Sequence, residues 1–148
     1  MDALAARLDA HWLLWPVLAQ VVWTLWLYAP LTVMRLRAVR RGTARLSTYE
    51  FSRDEPPEVA RLTRNLANQF ELPVVFYLCA ALLVALDAVT WIGICAAWVF
   101  IAGRVIHTAV QTLTGDVTLR GRVFTISFLA CAVLVAELAW LTFQRSVT

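Results

Sequence analysis

Apolar positions along the chain do not alternate, nor do they fall into a soluble helical stripe; they come in four long runs separated by arginine-rich breaks. The first run, Trp12 to Met34, carries no charge over 23 residues, and Pro16 and Pro30 bend or bound it. That length spans the bilayer core, which takes about 20 apolar residues, and exceeds a signal-peptide core. The run Leu72–Leu86 has only 15 residues, so its helix has to extend back through Glu71 and Asn68 to cross. The run Ala88–Gly103 has 16 residues and carries Arg104 and His107 at or inside the lip of the bilayer. The last run, Val123–Phe143, is interrupted late by Glu137, expected toward the opposite face as a snorkelling or interface residue. The pattern predicts an all-α integral membrane four-helix bundle, up-down-up-down, as one domain over 1–148. Its spans are about 12–34, 60–86, 88–112 and 121–143.

Between the first two spans, Arg35–Pro57 holds Arg35, Arg37, Arg40, Arg41, Arg45 and Arg53, then the acidic, proline-bearing SRDEPPE. It reads as a polar loop, partly helical at most. The second loop is a single charged residue wide, Asp87, and contains no arginine. By the positive-inside rule the first and third loops face the cytoplasm and both termini lie on the opposite side.

Composition agrees with the pattern: 61% of residues are hydrophobic and 16% charged, against nearer 45–50% and 25% in soluble domains. All 13 basic residues are arginine, and the net charge is +3. Membrane topology accounts for that charge without nucleic acid as a partner, because most arginines lie between apolar runs. The seven tryptophans fit the bilayer boundary. Cys79, Cys95 and Cys131 fall singly in separate spans and read as apolar fillers. No metal is expected, since His11 and His107 have no ligand spacing. Phosphate-loop, GxSxG and HExxH motifs are absent.

The polar intruders converge. Arg35 and Arg37 close the first span; Arg64, Asn68 and Glu71 open the second. Arg104, His107 and Gln111 close the third, and Arg120 and Arg122 open the fourth. Topology alone puts all of them at one membrane face. In an ideal helix Arg61, Arg64, Asn68 and Glu71 share a sector of roughly 80°, and Arg104, His107, Thr108 and Gln111 form a second stripe. An ionised side chain facing lipid costs from about 2.5 kcal/mol upward, so these stripes are expected to face protein or trapped water. The expected product is a cationic pocket with Glu71 as its one fixed anion, suited to a small acidic ligand with an ammonium group. Blander readings stand beside it. Arg35, Arg37, Arg40 and Arg41 can serve as anchors on lipid phosphates, Asn68 with Glu71 as an interhelical clamp, Arg104 as a snorkelling residue and His107 as a neutral hydrogen-bonder.

Three motifs in order carry a resemblance: RLR at Arg35–Arg37, RNLANQFELP at Arg64–Pro73, and GRVIHTAV at Gly103–Val110. Together they resemble the MAPEG family, the membrane-associated proteins of eicosanoid and glutathione metabolism, as a bacterial-type member similar to its glutathione transferases and prostaglandin E synthase. The resemblance implies a homotrimer with glutathione, as thiol co-substrate, between subunits at the cytoplasmic helix ends. It implies Arg35, Arg64, Asn68, Glu71, Arg104 and His107 as pocket residues, with Gln111 where that synthase has tyrosine and Ala67 where it has a second arginine. The arginine that holds the thiolate is Arg120 when counted without gaps, or Arg122 after a small loop difference. The implied activity is a membrane-bound glutathione-dependent transferase or peroxidase acting on lipophilic electrophiles. The alternatives are a non-catalytic lipid-binding or scaffold protein of the same fold and, less strongly, a proton or anion path.

Overall fold

The computed structural model describes residues 11–51 and 54–147; Arg53 and the charges before His11 lie outside them. Every regular element among the described residues is helical. α1 spans His11–Arg40, α2 Pro57–Ala67, α3 Leu72–Ala85, α4 Trp91–Leu113 and α5 Val117–Val147. Four helices are long and apolar enough to cross a membrane, with α2 and α3 together making the second, and the chain is an integral multi-pass membrane protein.

Helix ends run beyond the apolar stretches. α1 continues through both of its prolines to Arg40, so Arg35 and Arg37 lie within the helix and not at its close. Its 30 residues make about 45 Å, longer than a hydrocarbon core of about 30 Å. The excess carries the arginines out to headgroup level. α5, with 31 residues, begins at Val117 and leaves only Thr114–Asp116 as a turn after α4. The connection between α3 and α4 is wider than one residue: Leu86–Thr90 separates them, and Asp87 takes a positive φ of 49°.

The second span is not one uninterrupted helix. Pro73 has no N–H to donate, and its ring collides with the carbonyl four residues back, that of Gln69. The chain answers with a 3-10 turn over Asn68–Phe70 and with Glu71 at φ −100°, ψ −97°, before α3 starts at Leu72. The ideal-helix sector drawn through Arg61, Arg64, Asn68 and Glu71 therefore does not survive past Ala67.

α4 is the most enclosed helix and packs most extensively on α5, with α1 and α2 also against it. α3 joins α5 and α1. Phe76 and Phe100 stack at 4.4 Å in the main apolar cluster, with Leu13, Leu83, Cys79, Cys131 and Leu134 around them. A second cluster of Leu27, Leu31, Val59, Leu62 and Leu66 ties α1 to α2. Two of the three cysteines are buried fillers as expected, whereas Cys95 is exposed. At Gly103 α4 lies so close to Ser127 that a Cβ would overlap its Oγ. Membrane helices use small residues in this way to bring backbones together.

Glu137 departs from the snorkelling expectation. It turns into the bundle and accepts a 2.5 Å hydrogen bond from Thr90 Oγ1, while that same oxygen caps α4 by accepting from Gly93 N. A carboxylate beside a helix N-terminus is favoured by the helix dipole, and this gives Glu137 a reason to face inward.

Candidate functional site

The kink before Pro73 creates the centre of the site. Where a helix is interrupted, backbone carbonyls lose their helical partners. Arg104 Nη2 donates to the Asn68 carbonyl at 2.8 Å, and Nε donates to Gln69 Oε1 at 3.4 Å. Arg104 is the largest wholly buried side chain among the described residues, at 0% exposure. It does not snorkel. Its polar support continues into α1, because Gln20 Nε2 also donates to Gln69 Oε1 at 3.0 Å, and Thr24 Oγ1 bonds back to the Gln20 carbonyl. Gln69 Nε2 in turn donates to the Asn65 carbonyl.

The α4 stripe runs on from Arg104 toward the arginine-rich end. His107 is buried, with its ring edge-on to Phe124 at 5.9 Å. Thr108 Oγ1 donates to Asn65 Oδ1 at 3.2 Å, and Gln111 Oε1 accepts from Asn68 Nδ2 at 3.1 Å. Four atoms along this seam are buried without a partner: Asn65 Nδ2, Arg104 Nη1, His107 Nδ1 and Gln111 Nε2. Three of these are donors, and a buried unsatisfied donor costs about 1–3 kcal/mol. These donors are chemically able to meet acceptor groups. Glu71 is exposed on the single chain, yet near enough to act electrostatically on Arg104; Arg104 and Arg120 both act on His107.

The remaining predicted residues divide. Arg35 is engaged elsewhere: its Nη2 meets Glu55 Oε1 at 2.8 Å and Thr63 Oγ1 at 3.1 Å, and its guanidinium lies 4.9 Å over the Tyr49 ring. Among the described residues the carboxylate that pairs with an arginine at this end is Glu55, from the loop, where the sequence pointed to Glu71. Arg64 and Arg122 are exposed on the single chain. Arg120 is half-buried and lines a cleft of about 150 Å³ with Arg61, Gln111 and the Thr114–Asp116 turn. One chain brings Asn68, Arg104, His107, Gln111 and Arg120 into a single region, leaves Arg64, Glu71 and Arg122 exposed, and engages Arg35 with Glu55.

Gln20, Thr24, Asn65 and Gln69 are the participants that sequence reasoning missed. The available signal was Gln20 with Thr24 one turn on, inside an otherwise apolar span, since polar side chains at that depth face protein. No His, Cys, Asp or Glu grouping able to hold a metal occurs among the described residues.

A sequence model of the MAPEG family matches residues 13–140, most of the chain. Comparison with curated proteins and with solved structures found no match. The match runs from the start of the first membrane helix to near the end of the last, across every motif and every buried polar contact described above. The chain belongs to the MAPEG family.

Proposed function

We propose that the protein is a membrane-bound, glutathione-dependent transferase or peroxidase acting on lipophilic electrophiles. Family membership supports a glutathione-related function at family level. The observation that carries the finer reading is the wholly buried Arg104 guanidinium, held by a kinked backbone and left with an unpartnered Nη1 beside two further unpartnered donors. Glutathione fits that donor set, because it offers two carboxylates and peptide carbonyls, and its ammonium complements a carboxylate such as Glu71.

The chemistry asked of the arginines is modest. A free thiol titrates near 8.5, so only a few per cent is thiolate at neutral pH. Lowering that value by about two units, about 2.7 kcal/mol of differential stabilisation, makes thiolate the main form. A guanidinium adjacent to sulfur supplies this in a site shielded from water. Arg120 is the better placed of the two candidates, since it lines the cleft beside Gln111 and acts on His107, whereas Arg122 is exposed. Arg64, Glu71 and Arg122, exposed on one chain, complete the pocket against a neighbouring subunit in a homotrimer. The arginine-rich end faces the cytoplasm, and the lipophilic co-substrate arrives laterally from the bilayer.

A specific observation favours a second reading. α4 and α5 flank an open apolar furrow of about 620 Å³ lined by Trp91, Cys95, Val99, Ile126, Leu129 and Val133, in the half of the membrane away from the arginines. A lipid-binding or scaffold protein needs such a furrow and no thiol site. Thermal unfolding of the purified protein with glutathione separates the two. A ligand at about a hundred times its Kd stabilises the native state by about 2.7 kcal/mol, enough to move Tm by several degrees. The enzyme reading expects that shift, and no shift at millimolar glutathione favours the scaffold.

A further inference from the structure

The cleft at the α4–α5 turn has chemistry of its own. Arg61 enters from α2, Gln111 and Val110 from the end of α4, Thr114, Gly115 and Asp116 from the turn, and Val117 and Arg120 from α5. Arg61 Nη2 reaches over the turn, 3.9 Å from where a Cβ on Gly115 would stand. Neither Arg61 nor Arg120 forms an ion pair or side-chain hydrogen bond with another described residue. The third donor is Gln111, only 4% exposed, whose Nε2 has no partner while its Oε1 is used by Asn68. The one acid on the lining, Asp116, spends its Oδ1 capping α5 through Leu119 N at 2.9 Å. Two free guanidiniums and a stranded buried amide thus surround one small space, next to the N-terminus of a 31-residue helix.

We propose that this cleft is a phosphate site. The cleft, of about 150 Å³, has room for a tetrahedral oxyanion. Donors from α2, α4 and α5 approach it from three elements, which suits a tetrahedral group with several acceptor oxygens better than a planar carboxylate, satisfied by one fork. The arginines stand at the membrane boundary, so the phosphate belongs either to a phospholipid headgroup or to a free solute, and the chemistry is shared. Arg61 has no part in the thiol reading above, whereas Arg120 and Gln111 are shared with it. An anion held there draws on Arg120 and Gln111, so phosphate occupancy also sets how freely those two groups serve a neighbouring ligand.

The test is thermal unfolding of the full chain in detergent without glutathione, with inorganic phosphate compared against sodium chloride at equal ionic strength. Phosphate at about ten times its Kd is expected to raise Tm by about 3 °C. Arg61→Gln abolishes the shift, Arg61→Lys keeps part of it, and Arg40→Gln, which removes an exposed arginine at the same end, keeps all of it. Reconstitution into discs of phosphatidic acid or of phosphatidylcholine identifies the source. A headgroup ligand gives an Arg61-dependent stabilisation in phosphatidic acid and leaves added phosphate without effect there. A free ligand gives no Arg61-dependent difference between the discs, while inorganic phosphate still acts in both. Absence of any Arg61-dependent shift in detergent and in discs overturns the site, as does a phosphate shift that survives unchanged in Arg61→Gln and Arg61→Lys.

Discussion

Gln69 sits where three demands meet: its Oε1 takes hydrogens from Gln20 and Arg104, and its Nε2 satisfies the Asn65 carbonyl. Removing it strands a buried guanidinium nitrogen and leaves the Gln20 amide only a 3.4 Å bond to Thr24 Oγ1, so Gln69→Leu is expected to lower stability by about 1–3 kcal/mol. Gln20 has less at stake, because its Oε1 is already without a partner and Gln69 retains a second donor. Gln20→Leu is expected to cost less than about 1 kcal/mol, and thermal unfolding of the two variants in one detergent compares them directly. Thr90 offers an independent check at the far end of the bundle. It caps α4 and donates to Glu137, so Thr90→Ala is expected to cost about 1 kcal/mol for the cap alone, and more for the stranded carboxylate. An unchanged Tm in Thr90→Ala contradicts the inward role of Glu137.

At the scale of elements, the kink between α2 and α3 decides what the site contains. Pro73→Ala permits an uninterrupted helix through Asn68, whose carbonyl then turns to its own chain and leaves Arg104 Nη2 without its 2.8 Å acceptor. The expected outcome is a Tm that holds or rises together with glutathione affinity about tenfold weaker, which calorimetric titration reads. A matching loss of both makes the kink merely structural. The α4–α5 contact is tested at Gly103, where even a methyl group overlaps Ser127; Gly103→Ala is expected to cost about 1–3 kcal/mol by overpacking. These elements were unequally legible in the chain. Run lengths predicted four long apolar helices, because hydropathy is a property of composition over about 20 residues. Pro73 was visible too, but its effect on the Arg64–Glu71 stripe depends on a local turn that an ideal helical wheel ignores. Glu55 was beyond reach, since pairing it with Arg35 required knowing how a loop of mixed charge folds back on α1. Arg104, His107 and Gln111 were readable as one stripe because α4 is regular from Trp91 to Leu113.

For the whole molecule, the single chain leaves Arg64, Glu71 and Arg122 on its outer face and Asn68, Arg104, His107 and Gln111 within. Charges at the rim of a membrane bundle are stabilised when a second surface covers them, as the homotrimer proposed above would do. Native mass measurement in detergent is expected to find three copies; a monomer that still binds glutathione removes the need for a neighbour. The central claim is that guanidinium groups at this end hold a thiol as thiolate, and its most direct test is the ultraviolet thiolate absorbance of bound glutathione. The account predicts a thiolate band with the wild-type protein that disappears in Arg120→Ala and is kept in Arg122→Ala. A band of full strength in both single variants and in the double variant contradicts it.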